Sequence, residues 1–128
     1  MAWDENALRA AVKDYFAAVD AKDVEATLVY FADDATMTIQ TANVTHTGKD
    51  GIRRMLTDFY DHSVFIKHEV LNVVTEVAKG KVATEQRFLS ESPDGTKIDM
   101  HNCSFYDFNE QGQFQRVIIW MAGTSPLV

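Results

Sequence analysis

The sequence predicts an α+β domain in which three N-terminal helices pack on one face of a single mixed, mainly antiparallel sheet. Two observations lead to this fold class. Apolar residues recur every three or four positions in three segments before residue 62, and every second position in four long segments after it. Helices that come first and antiparallel strands that follow are typical of α+β domains. The 128 residues are expected to form one domain, since that length leaves little room for a second core.

Each of the three helical segments has a recognisable start. Asp4 can cap a first helix that runs to about Lys22, and Asp23 can cap a short second helix that runs to about Tyr30. Gly48 introduces the third helix. The residues expected to be buried on the first and third helices are Leu8, Val12, Tyr15, Phe16, Val19, Ile52, Met55, Leu56, Phe59 and Tyr60.

The strands are predicted from alternation and from the turns between them. A strand over residues 35–41 follows a turn at Asp33-Asp34, and a short extended stretch over 44–47 precedes the third helix. Four long strands come after that helix, and the links between them are plausible hairpin turns that contain glycine. These strands are expected at residues 64–77, 81–91, 96–108 and 113–121.

Composition and charge exclude several classes of function. A formal net charge of -7 and scattered Lys and Arg residues argue against nucleic acid as a partner, because phosphate binding needs a clustered basic surface. No apolar run is long enough to span a membrane, and no signal peptide is visible. The single cysteine, Cys103, suits a reducing compartment. We therefore expect a soluble cytoplasmic protein with neither a membrane nor a nucleic-acid partner.

The predicted inner face of the strand at residues 64–77 carries His68. Alternation places His68 on that face with Val64, Ile66, Val70, Asn72 and Val74. Asp20 lies at the edge of the buried stripe of the first helix, four residues after Phe16. A carboxylate in that position could orient the imidazole. In the alternative interpretation, His68 is a core histidine bonded to a backbone carbonyl, and Asp20 is solvated.

The strand at residues 96–108 has two contrasting faces. Asn102 and Ser104 fall among apolar neighbours, where they could bond a ligand oxygen or pair across strands. The opposite face carries Cys103 and Phe105, which three helices on the other side of the sheet cannot cover. An exposed apolar patch of this kind usually marks an interface. We therefore expect a homodimer through the outer face of the sheet.

No metal or cofactor site is predicted. The four histidines, at positions 46, 62, 68 and 101, lack the spacing of metal ligands. His68-Glu69 begins like a zinc-protease motif, but Asn72 stands where that motif requires its second histidine.

Four segments, spread over nearly the whole chain, carry a resemblance to a known family. They are YFAAVDAKD at 15–23, YFADDAT at 30–36, GKDGI at 48–52 and FNEQGQF at 108–114. In this order they resemble the nuclear-transport-factor-2-like superfamily, particularly its SnoaL-like branch. The resemblance implies a strongly curved, cone-shaped sheet wrapped by three helices around a deep central pocket for a small apolar molecule. Homodimers through the outer sheet face are common in such families, so the resemblance also implies this assembly.

A second, narrower resemblance concerns the site. Dehydratase and dehydrochlorinase members of the superfamily use a histidine–aspartate dyad, and their histidine is followed after three residues by asparagine, as His68 is by Asn72. The resemblance implies that His68 is the base and Asp20 its orienting partner. It also implies that Tyr15, five residues before Asp20, is a hydrogen-bond donor. The residues expected to bind substrate in the pocket are Asn102, Ser104, Phe59, Met37, Ile39 and Trp120.

The expected function is that of a cofactor-free lyase or isomerase of the dehydratase type, which abstracts a proton from carbon in a cyclic or polyketide-like substrate. The alternative is a non-catalytic small-molecule-binding or accessory protein of the same fold. Steroid-isomerase-like chemistry is disfavoured, because Ile39 and Ser104 stand near the places of its two aspartates. Epoxide-hydrolase-like chemistry is disfavoured because Gln86, Phe88 and Ile119 stand near the places of its aspartate–arginine–aspartate set.

Overall fold

The first two helices begin after their predicted capping residues, and the third begins at Gly48 as expected. In a computed structural model, which describes residues 3–123, Asp4 accepts a hydrogen bond from the backbone N–H of Ala7, and Asp23 accepts one from that of Ala26. These bonds satisfy backbone donors that have no partner inside the helix. The helices are α1 (Glu5–Asp20), α2 (Val24–Leu28) and α3 (Gly48–Asp61). Within residues 3–123, no helix is both long and apolar enough to cross a membrane.

The six strands form one mixed sheet. Their order is β2-β1-β6-β5-β4-β3, and the only parallel pair is β1 with β6 among the described residues. The three helices pack on this sheet, so the predicted α+β class is confirmed. The strands are β1 (Phe31–Ile39), β2 (Val44–Thr47), β3 (Phe65–Glu76), β4 (Lys81–Glu91), β5 (Lys97–Phe108) and β6 (Phe114–Trp120).

The start of β1 differs from the sequence-based expectation. The strand begins at Phe31 rather than at Ala35, and α2 ends at Leu28. Asp33 and Asp34 are therefore not a turn between the two elements. They lie in a stretch where the pairing of β1 with β6 shifts register, and both are exposed. Exposed polar residues can lie in an irregular stretch of a strand as well as in a turn, and the strand then continues beyond them.

A bulge in β3 changes which side chains share a face. The pairing of β3 with β4 shifts between Val70 and Asn72, so Leu71 is an extra residue. Beyond this point the alternation is inverted, because one inserted residue moves every later side chain to the other face. The expectation that Asn72 and Val74 lie with His68 is therefore wrong. Val74 is 57% exposed, while Val73 packs against the core.

The core lies between the helices and the inner face of the sheet. It is rich in aromatic rings that meet edge to face, as Tyr15 does with Phe31 and with Phe114. Such contacts stabilise beyond the burial of their area, by about 0.5–1.5 kcal/mol per pair. The end of α1 also packs against β3, where the ring of Phe16 lies on that of His68.

Candidate active site

A cavity opens between the helices and the inner face of the sheet. It encloses about 500 Å³ of space outside the atoms, its open mouth included, so this figure is an upper bound on the room for a ligand. Residues from α1, α3 and all strands except β2 line it: Tyr15, Phe16, Val19, Met37, Met55, Leu56, Phe59, His68, Gln86, Phe88, Asn102, Ser104, Tyr106, Val117, Ile119 and Met121.

His68 and Asp20 are joined by two hydrogen bonds at the edge of this cavity. The ring Nδ1 of His68 lies 2.6 Å from Oδ1 of Asp20, and the backbone N–H of His68 donates to Oδ2 at 2.9 Å. Asp20 is the last residue of α1, and His68 lies on β3, an edge strand of the sheet. The carboxylate can thus reach a backbone N–H that the neighbouring strand does not bond.

The hydrogen bond to Asp20 determines which nitrogen of His68 is available to a ligand. An ionised carboxylate only accepts hydrogen bonds, so Nδ1 carries a proton. In the neutral ring, Nε2 is then the unprotonated nitrogen, on the side away from Asp20. The rings of Phe16 and Phe88 lie on the imidazole, with centroids 4.7 Å and 5.2 Å from its own. They restrict the ring to this orientation, and the His68 side chain is only 10% exposed.

Tyr15 brings a phenol into the same cavity. The residue is 4% exposed, and its hydroxyl makes no hydrogen bond with any residue in the range 3–123. Burial, followed by the nearby phenols of Tyr106 and Tyr60, raises the pKa of Tyr15 well above its usual value. The phenol is therefore protonated at neutral pH and has a proton to donate to a bound molecule.

Asn102 points a side-chain amide into the cavity with a fixed orientation. Its Oδ1 accepts a hydrogen bond from the backbone N–H of Ala122 at 3.1 Å. The oxygen is thereby engaged, which leaves the Nδ2 group with its two protons for the cavity that Asn102 lines. The residue is 3% exposed, so a ligand oxygen that met this amide would meet it in a largely dry environment.

Four polar side chains on β4 and β5 form a buried chain of hydrogen bonds beside Asn102. Thr84 donates to Oε1 of Gln86 at 2.7 Å, and Nε2 of Gln86 donates to Oγ of Ser104 at 2.9 Å. The hydroxyl of Tyr106 lies 2.9 Å from that of Thr84. Burial raises the pKa of Tyr106, and its hydrogen bonds with Thr84 and Ser104 offset part of this rise.

Sequence reasoning missed the contribution of Gln86 to the cavity. Gln86 is 2% exposed and lies on the inner face of β4 together with Val82 and Phe88. A polar residue in phase with buried apolar neighbours was therefore a visible signal. It could not be interpreted further, because its partners Thr84 and Ser104 emerge only from the strand register.

The other predicted pocket residues divide into two groups. Met37 and Phe59 line the cavity. Ile39 is fully buried but does not line the cavity. It is the last residue of β1 and pairs with Val44 of β2. The expectation that Trp120 forms a pocket wall is wrong, since it is 50% exposed on the outer face. Alternation in β6 places Ile119 toward the cavity and turns the residue after it outward, opposite Cys103.

The charge around the cavity restricts what it can hold. No Lys or Arg of residues 3–123 lines it, so a carboxylate or phosphate would find no counterion there. In the same range, no group of three or more His, Cys, Asp or Glu side chains could hold a metal ion. The arrangement thus combines one unprotonated ring nitrogen with several neutral donors in an apolar enclosure.

Comparison with known proteins agrees with this architecture. Residues 12–117 match the profile of the SnoaL-like domain. A candidate aromatic ring hydroxylase from Novosphingobium aromaticivorans superposes with a TM-score of 0.84 at 20% identity, over 94% of this chain and 90% of that one. A candidate SnoaL-like polyketide cyclase from Shewanella denitrificans superposes with a TM-score of 0.79 at 14% identity, over 89% of each chain.

A third similar structure is SalBIII, an epoxide hydrolase/cyclase-like enzyme of pyran ring formation in the polyether salinomycin. It superposes with a TM-score of 0.84 at 16% identity, over 93% of each chain. At these identities the structures establish the fold and not the reaction. A search of curated protein sequences finds no significant match.

Proposed function

Since this chain belongs to the SnoaL-like domain family, we propose that it is a cofactor-free lyase or isomerase whose His68 removes a proton from carbon. The observation that carries the proposal is the 2.6 Å contact between Nδ1 of His68 and Asp20. It leaves Nε2 as the basic nitrogen in a cavity that otherwise offers donors. A base, an orienting carboxylate and oxygen-binding donors are the parts that enolisation needs.

The most concrete version of the reaction is dehydration of a β-hydroxy ketone. Nε2 of His68 takes the proton from the carbon between the carbonyl and the hydroxyl-bearing carbon, and the electron pair moves onto the carbonyl oxygen. Tyr15 and Asn102 donate to that oxygen, and Asp20 stabilises the imidazolium. The electron pair then returns, the carbon–oxygen bond of the hydroxyl breaks, and His68 gives its proton to the departing oxygen, which leaves as water.

Known magnitudes make this set of groups sufficient for useful catalysis. A placed base typically accelerates a reaction by about 10²–10⁴-fold. Loss of one donor to a developing oxyanion costs roughly 10²–10³-fold in a well-formed site. The contributions act on the same transition state, so they need not be additive.

The substrate class follows from the cavity and from the similar proteins. The lining is mostly apolar and contains no cation within residues 3–123, which favours a neutral ring compound over an anion. Two of the similar structures are described as a polyketide cyclase candidate and as an epoxide hydrolase/cyclase-like enzyme. Both descriptions support a cyclic or polyketide-like substrate, and we expect the protein to meet it in the cytoplasm.

One observation favours a second function, that of a non-catalytic binding or accessory protein. Asp20 also accepts the backbone N–H of His68, and this bond alone would secure the edge strand β3 to the end of α1. In that case the contact between the His68 ring and Asp20 has no catalytic role and follows from the structural backbone bond. The cavity would then hold an apolar ligand without changing it.

Two bicyclic ketones distinguish these functions. Removal of water from 3-hydroxy-1-tetralone yields 1-naphthol, which is detected by its fluorescence, and proton abstraction from 1-tetralone in D₂O is detected as deuterium at C2. We expect both reactions with the unmodified protein and a loss of about 10²-fold or more in His68→Ala. His101→Ala is the matched control, because His101 also contacts a carboxylate, that of Glu85, but lies on the exposed outer face.

The contradicting result is equally specific. If 1-tetralone binds in the cavity but exchanges no faster with the unmodified protein than with His68→Ala, the catalytic proposal is wrong. The binding-protein function would then remain.

A further inference from the structure

The orientation of the Gln86 amide sets the direction of the buried hydrogen-bond chain beside the cavity, because its Oε1 faces Thr84 and its Nε2 faces Ser104. An amide oxygen can only accept, so the hydroxyl of Thr84 donates its single proton to Oε1 of Gln86. Thr84 therefore accepts in its contact with Tyr106, and the phenol is the donor there. At the other end of the amide, Nε2 of Gln86 donates to Oγ of Ser104.

This direction leaves Ser104 with one proton to give. Its oxygen already accepts from Gln86, and the residue lines the cavity with 2% of its surface exposed. Without a ligand, the proton can rest on the oxygen of Tyr106, whose own proton goes to Thr84. A ligand oxygen in the cavity competes with Tyr106 for this proton.

We propose that Gln86 is a positioning residue, held by Thr84, that makes Ser104 a hydrogen-bond donor toward a carbonyl oxygen of the bound molecule. Gln86 performs this role because its amide is hydrogen-bonded at both ends, with Oε1 toward Thr84 and Nε2 toward Ser104. The proposal rests on the proposed function in one respect only, namely that the cavity binds the reacting molecule.

Together, the polar side chains that line the cavity (Tyr15, Gln86, Asn102 and Ser104) favour a ligand oxygen that accepts hydrogen bonds. The two side-chain amide oxygens among them, those of Gln86 and Asn102, are engaged by Thr84 and by the N–H of Ala122. The groups left over are donors, apart from the phenol of Tyr15, which can also accept, and Nε2 of His68, which is the base. A carbonyl or enolate oxygen satisfies such donors, whereas a hydroxyl adds a proton that competes with theirs. The site is thus suited to neutral ketones.

Two probes of the same shape test this selection without requiring turnover. Calorimetry gives the dissociation constants of 1-tetralone and of tetralin, which lacks only the carbonyl oxygen. We expect the unmodified protein to prefer the ketone. Removal of one neutral hydrogen bond should lower the ratio of the two affinities about 3- to 10-fold in Ser104→Ala and in Gln86→Met.

Two further variants separate positioning from general structural support. Thr84→Val keeps the shape of a residue outside the cavity lining but releases the amide of Gln86, so the ratio should fall while tetralin binds as before. Ser104→Thr retains the hydroxyl and should retain the ratio. The control Met37→Leu alters an apolar part of the wall and should change both affinities by the same factor.

The outcomes are distinct for the two proposals. An unchanged ratio in folded Ser104→Ala and Thr84→Val proteins would overturn the role assigned to Gln86. Deuterium exchange without any ketone preference contradicts this role alone. A ketone preference that depends on Gln86, without exchange, contradicts the catalytic function alone.

Discussion

Asp20 holds His68 at two points, through the ring Nδ1 and through the backbone N–H. The second bond has a mechanistic consequence. Because the backbone N–H fixes one carboxylate oxygen, the other is directed at the imidazole without freedom to turn away. The rings of Phe16 and Phe88 complete the restraint. A base positioned in this way loses little orientational freedom when substrate binds, which is the condition for efficient proton transfer.

Replacement of Asp20 by asparagine should invert the tautomer of His68. The amide oxygen can still accept the backbone N–H, which turns its NH₂ group toward Nδ1. Nδ1 must then accept, and the ring proton moves to Nε2, where it blocks the base. We expect turnover of 3-hydroxy-1-tetralone to fall about 10²–10⁴-fold with an unchanged circular dichroism spectrum. Nitrogen NMR of the His68 ring reports the tautomer directly.

Glu85→Gln is the matched control for this experiment, since Glu85 contacts His101 on the outer face. Turnover should not respond to it. An Asp20→Asn protein that keeps both its activity and the original tautomer would contradict the assignment of His68 as the base.

Removal of the Tyr15 hydroxyl should affect ligand chemistry more than stability. In Tyr15→Phe the lost group has no hydrogen-bond partner among residues 3–123, so the free energy of unfolding should change by less than about 1 kcal/mol. The reaction should slow by about 10-fold or more, because a donor to the developing oxyanion is missing. Urea unfolding and turnover measure the two effects. A protein destabilised but fully active would assign Tyr15 to the core alone.

The faces of uninterrupted strands could be predicted from the sequence. Along β5 the pattern is regular, so the prediction that Asn102 and Ser104 lie inside and Cys103 and Phe105 outside is confirmed. The bulge at Leu71 could not be predicted, because no glycine or proline marks it and it depends on the pairing with β4. The expectation that Trp120 forms a pocket wall was wrong, since a large aromatic residue can also occupy an exposed sheet face.

The contact between Asp20 and His68 was expected on a different basis. Periodicity places each residue near an apolar face, but it cannot bring two distant positions of the chain together. The place of Asp20 at the edge of the buried helix stripe made it a candidate partner, and the resemblance to a family with a histidine–aspartate dyad supported the pair. Gln86 had no such precedent, and its partners became visible only with the register of β4 and β5.

Alkaline pH should destabilise the fold through buried tyrosines. Burial raises the pKa of Tyr60 to about 12, although its hydrogen bond with Thr27 offsets part of the rise. The pKa values of Tyr15 and Tyr106 are raised as well, with burial again the first cause. In the unfolded chain tyrosine ionises near pH 10. Above that pH the unfolded state binds fewer protons than the folded state, so the free energy of unfolding falls as pH rises.

Each raised tyrosine contributes a slope of up to about 1.4 kcal/mol per pH unit between its two pKa values. Urea unfolding at pH 9, 10 and 11 measures the slope. Tyr60→Phe should lower stability at pH 9, because the bond to Thr27 is lost, and should make the slope above pH 10 shallower. Equal slopes in the two proteins would show that Tyr60 ionises alike in both states.

The outer face of the sheet carries exposed apolar side chains that predict how the protein assembles. Val74, Phe105 and Trp120 are about half exposed. Strand register sets Val74 and Phe105 on either side of Ala83, and Trp120 diagonal to Phe105. A contiguous apolar patch on a soluble domain usually marks an interface. We therefore expect a two-fold homodimer, and a double substitution of Phe105→Lys and Trp120→Glu should yield monomers that remain folded.

Sedimentation at tens of micromolar, roughly the range in which such an interface forms, measures the assembly. Val29→Lys is the control, because Val29 is an equally exposed apolar residue at the end of α2, away from the sheet. It should leave the dimer intact, since one scattered apolar residue does not make an interface. A monomer in the unmodified protein would mean that the patch has another role. Dissociation by Val29→Lys would instead place the interface on the helical side.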